Sequence, residues 1–245
     1  MLALNVFSLL VFLALNHLAG SVSRLDEKTR TMILRSLLAI LLAFNIVKYV
    51  FPPLWGGIWR MPVEFSTVAY FVVPLLYLSG SKRGKTWAAY AGILAGFFYY
   101  MTMIVAGGRI YAEYTPANIY LSFFCHGSLY FFGLTRLKTE IFLRDGKPTL
   151  YVGMGMVLLN AIVSRPLANP DGRLFIYELL DGIHARSMMS ASTWQTWSWV
   201  YYITLILLVL WSFRLFYRLN VLFLQKATQA VPACRNVHAN RLSNA

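Results

Sequence analysis

A chain of 245 residues that is 58% hydrophobic, 16% aromatic and only 13% charged, with a mean hydropathy of +0.58, is too apolar for a soluble domain. Its net charge of +13 does not indicate a nucleic-acid partner, because the basic residues flank apolar runs instead of forming one domain face. The expectation is an all-α polytopic bundle in a membrane.

Seven runs have roughly the 18 or more apolar residues that cross about 30 Å of hydrocarbon. They lie at about 2 to 19, 32 to 51, 62 to 79, 86 to 106, 117 to 135, 149 to 165 and 195 to 214. The first begins without a basic segment, so it reads as a retained helix and not a cleaved signal peptide. The connection after it holds Arg24, Lys28, Arg30 and Arg35; the one after the third run holds Lys82, Arg83 and Lys85; the one after the fifth holds Arg136, Lys138, Arg144 and Lys147. Arg214, Arg218, Lys226, Arg235 and Arg241 follow the seventh, so 16 of the 22 basic residues fall on one side. Short basic loops stay cytoplasmic, which predicts seven transmembrane helices with the N-terminus outside and the C-terminus inside. Residues 1–218 form this transmembrane domain, and 219–245 read as a mobile polar cytoplasmic tail. Cys125 and Cys234 share no loop, so two free thiols are expected.

The residue that stands out is His126, within the uncharged stretch ANIYLSFFCHGSLYFFGL at 117 to 134. An ionisable group at membrane depth faces the bundle interior or a wet cavity and marks a functional site by default, although a histidine that only bonds a neighbouring helix is the plainer reading. At 1.5 Å per residue His126 lies about 13 Å below the outer end of its span. Glu64 and Ser66 on span three, Asn160 and Arg165 on span six, and Asn45 and Lys48 on span two fall in the same outer half. His17, His184 and His238 lie elsewhere, so no three-histidine metal site is expected, and no cofactor is indicated. Neutral imidazole can take a proton from a hydroxyl or thiol. Ser66 suits this role better than Cys125, since consecutive helix residues point about 100° apart. Serine also serves as a small packing residue in membrane helices.

Other motifs are incomplete. Asp181-Gly-Ile-His-Ala-Arg186 opens the CDP-alcohol phosphotransferase signature, but Gln195, Trp199 and Ile203 occupy the positions that need Gly, Asp and Asp. GSKRGK at 80 to 85 lacks P-loop spacing. The Gly-x-Ser-Gly setting of rhomboid proteases is missing, and span seven has no lysine for a retinal Schiff base.

Met61-Pro62-Val63-Glu64-Phe65-Ser66 resembles the Leu-Pro-Leu-His-Leu-Cys opening of a helix in the YwaF-like integral membrane family. Tyr120 to Leu134 is similar to that family's histidine-bearing helix, with His126 at the matching position, and Asn160 falls in the same order. The resemblance covers roughly residues 40 to 215 and implies kinship with a eukaryotic ether-phospholipid acyltransferase and with androgen-induced-type fatty-acid-ester hydrolases. It implies a lipid acyl hydrolase or acyltransferase with a Ser66–His126 pair, a membrane lipid as substrate and a bacterial plasma membrane location; Glu64, Asn160 and Arg165, which share the depth of His126, are the candidate binding residues. The alternative is a non-enzymatic heptahelical transporter or sensor with a polar pocket in the outer half.

Overall fold

The computed structural model describes residues 2–51, 62–81, 84–110, 115–142, 146–165 and 175–242. Arg60, Lys82, Arg83, Arg144 and Arg173 lie outside them, as do the side chains of His184, Cys234 and His238. Every regular element among the described residues is helical: α1 (Leu2–Ser23), α2 (Glu27–Val50), α3 (Phe65–Leu78), α4 (Gly84–Ile110), α5 (Pro116–Thr139), α6 (Lys147–Ser164), α7 (Phe175–Leu180), α8 (Ile183–Ser187) and α9 (Ala191–Leu242).

Helix ends follow local chemistry. Asp26 caps α2 by accepting the Thr29 N–H at 2.9 Å, with Glu27 in the first turn against the positive end of the helix dipole. Thr115 caps α5 and Pro116 supplies a preset first helical residue. Gly182 joins α7 to α8 at φ 63°, a left-handed conformation that favours glycine.

Each of the seven apolar runs overlaps a helix of at least 14 residues. Among the described residues, four helical segments are long and apolar enough to cross a membrane: Leu2–Ser23, Glu27–Val50, Gly84–Arg109 and Ala191–Gln225. The protein is therefore an all-helical chain with the character of an integral membrane protein. The 14 residues of α3 span only about 21 Å, and α5 dilutes its apolar residues with Ser122, Gly127, Ser128 and Gly133.

The core centres on α5, where Cys125 through Leu137 are all buried. It packs most extensively against α4 and α1, and also meets α2, α3 and α9. Glycine sets the α4–α5 spacing. A Cβ on Gly92 would stand 2.6 Å from the Leu129 carbonyl oxygen, and one on Gly96 would stand 2.8 Å from that of His126. From the other side, a Cβ on Gly133 would reach the Ala89 carbonyl at 2.7 Å. This Gly92-x-x-x-Gly96 face lets the two backbones approach, as small residues do between membrane helices.

At the other end of α5, Asn220 of α9 is buried at 1% exposure. It donates 2.7 Å hydrogen bonds to the Leu137 and Glu140 carbonyls and accepts the Phe142 N–H at 3.0 Å. Side-chain bonds thus satisfy backbone groups that the end of a helix leaves unpaired. The helix α9 continues through residue 218 without a break, and packing reaches at least Asn220.

Candidate functional site

The close approach of α4 and α5 positions His126. Its ring stacks on Tyr99 with centroids 3.8 Å apart and planes 5° apart, while Tyr70 of α3 meets it edge-on at 5.4 Å. Nδ1 lies 3.2 Å from the Ala95 carbonyl oxygen. A carbonyl only accepts, so this contact requires a proton on Nδ1 and leaves the lone pair of a neutral ring on Nε2. With only 9% of its surface exposed, the imidazole is held by two aromatic rings and at one nitrogen.

Two further helices bring polar groups to this level. Asn45 of α2, fully buried, donates to the Leu41 carbonyl at 2.8 Å and toward Cys125 Sγ at 3.7 Å. Lys48, one turn further along α2, is near enough to act electrostatically on both Cys125 and His126. On α3, Ser66 is partly buried and lies one turn before Tyr70, near enough for its hydroxyl to interact with the phenol. Ser66 and His126 therefore share Tyr70 as a neighbour. No hydrogen bond joins the two directly among the described residues.

The other sequence-derived residues are engaged elsewhere. Glu64 Oε1 accepts the Ile176 N–H at 3.4 Å and so ties the start of α3 to α7. Asn160 donates to the Pro62 carbonyl at 3.1 Å and accepts from Ser164 at 3.4 Å. Arg165 makes a two-pronged pair with Asp181 at 3.0 and 2.6 Å and lies over the Tyr177 ring. Tyr177 in turn donates to the Ala161 carbonyl at 3.0 Å. These three residues fasten the α7–α8 connection and the segment before α3 onto the bundle. Among the described residues no hydrogen bond or ion pair joins them to His126.

The sequence reading missed Tyr70 and Tyr99 because both sit in aromatic-rich runs where nothing distinguishes a site residue from packing. The available signal was the i, i+4 spacing of Ser66 and Tyr70 on one helix face. It also missed a second polar group, Arg136, buried at 6% exposure on α5. Arg136 pairs with Glu140 and lies 5.0 Å from the Tyr77 ring centroid.

Among the described residues no group of three or more His, Cys, Asp or Glu could hold a metal ion. What the His126 cluster offers chemically is a fixed imidazole, two hydroxyls, a thiol, an amide and a nearby ammonium. No family model, no curated protein and no solved structure matches this chain.

Proposed function

We propose that the protein is a seven-span membrane protein of the YwaF-like kind, N-terminus outside and C-terminus inside, in a bacterial plasma membrane, and that its His126 cluster performs acyl-ester chemistry on a membrane lipid. The observation that carries this reading is the Nδ1 bond to Ala95. It orients the ring and leaves Nε2 as the proton acceptor, the second-partner arrangement that a general base requires.

In this mechanism Nε2 takes the Ser66 hydroxyl proton as the serine oxygen attacks the ester carbonyl carbon. The bond to the leaving alkoxide then breaks, and His126 returns the proton to it. Water or an acceptor alcohol next attacks the acyl-serine through the same base. Substrate binding must bring the Ser66 hydroxyl to Nε2, since no hydrogen bond joins them among the described residues.

The test is labelling of the purified protein with a fluorophosphonate probe. Wild type is expected to label, and Ser66→Ala and His126→Gln to lose at least about 90% of the label, in keeping with the 10²-fold or greater contribution of a general base. Full labelling of Ser66→Ala refutes the nucleophile. A second reading, a heptahelical sensor in which His126 binds a ligand, draws support from Tyr70 standing against both partners. It is favoured if wild type fails to label at all.

A further inference from the structure

Asn45 is fully buried, and its amide orientation is decided by chemistry. The Leu41 carbonyl, 2.8 Å away, can only accept, so the NH₂ group must face it. The same nitrogen points toward Cys125 Sγ, which serves there as acceptor. That leaves Oδ1 as an acceptor with no hydrogen-bond partner among the described residues. A buried acceptor left in this state carries the full desolvation penalty of the group, and hydrocarbon offers no donor to relieve it.

The side chain borders the site, with Nδ2 3.7 Å from Cys125 Sγ. Cys125 adjoins His126 on α5, and Lys48 on α2 influences both. Resting on the lipid-ester reading above, we infer that Asn45 Oδ1 receives a hydroxyl of the bound lipid, so that the site selects amphiphiles carrying a free O–H donor over otherwise similar esters lacking one. A binding group built to accept a hydrogen bond rejects analogues without the donor, because its buried oxygen is then left unpaired.

Two probes of equal acyl chain separate the possibilities: monooleoylglycerol, an ester with two hydroxyls, and methyl oleate, an ester with none. Each is titrated by mole fraction into nanodiscs containing the full-length protein, with the shift in thermal unfolding midpoint as the readout. Wild type is expected to bind monooleoylglycerol at least about tenfold more tightly, a ratio worth about 1.4 kcal/mol. Asn45→Ala should lose that ratio, and Asn45→Asp, which keeps an acceptor oxygen, should retain most of it. Equal binding of the two probes by wild type, or binding of neither, overturns the inference. So does an undiminished ratio in Asn45→Ala. If Asn45→Ala does not fold, wild type and Asn45→Asp still decide: a ratio present in the first and lost in the second also counts against it. Hydroxyl discrimination by a wild-type protein that takes no fluorophosphonate would leave the Asn45 site standing and remove only the catalytic reading.

Discussion

Gly96→Ala is the most direct test of how packing governs the site. The added Cβ would press on Tyr130 Cβ and lie 2.8 Å from the His126 carbonyl oxygen and 2.9 Å from Tyr130 Cα, where ordinary contact begins at 3.4 Å. All three atoms move only with the α5 backbone, so side-chain rotation cannot absorb the clash, and α4 and α5 must part by roughly 0.5 Å or more. Ala95, the residue before Gly96, carries the carbonyl that holds His126 Nδ1 at 3.2 Å. The same displacement stretches that bond past the range of a useful hydrogen bond. Overpacking costs about 1–3 kcal/mol and the weakened bond about 1 more, so a loss of roughly 2–4 kcal/mol is expected. Unfolding in detergent by SDS titration measures it. ¹⁵N-histidine spectra of the same sample should show the Nδ1 proton exchanging faster. Gly155→Ala is the control, because its Cβ meets nothing within 4 Å; helix propensity alone makes that change neutral or stabilising by about 0.5–1 kcal/mol. Equal stability of Gly96→Ala and wild type would show that the α4–α5 spacing does not depend on this glycine.

Asn220→Ala should destabilise the bundle by about 2–5 kcal/mol in the same titration, since two carbonyls and one N–H lose their partner in a buried setting. Arg165→Gln should change stability by less than about 1 kcal/mol, because its pair with Asp181 is 52% and 33% exposed. It should also leave fluorophosphonate labelling intact, whereas a strong loss of label would return Arg165 to the binding site. The Thr29 side chain and its backbone N–H, the N-cap donor, together hold the Asp26 carboxyl below its ordinary value. A depressed folded-state pKa contributes stability above the unfolded value near 4 and loses it as pH falls through the folded one. The difference in thermal midpoint between wild type and Asp26→Ala should therefore be present at pH 7 and shrink on acidification toward pH 3. A difference that stays constant over that range would mean that the carboxylate charge is not what caps α2.

Much of the architecture was legible along the chain. Apolar runs separated by short polar connections can only be helices in lipid, where each backbone group must bond within its own segment. Accordingly, every run overlaps a long helix, and the starts of α2 and α5 fall at Asp26 and Thr115, as capping chemistry dictates. The burial of His126 was legible too, from its place in an uncharged run. The partners were harder to read. Glu64, Asn160 and Arg165 share a depth with His126, but depth along a helix says nothing about the direction in which a side chain points. All three turn toward α7, the α7–α8 connection and the segment before α3 instead.

The sequence alone thus determined the solvent of this protein, its helical content and the isolation of one histidine, because those depend on local composition and periodicity. Tertiary structure decided that α5 is the buried centre and that Tyr99 and Tyr70 hold the imidazole. It also set Tyr70 against both Ser66 and His126 and left one Asn45 oxygen unpaired. These outcomes depend on rotation about each helix axis and on the distance between helices. Close approach at Gly92, Gly96 and Gly133 fixes that distance, and only residues far apart in the chain together specify it.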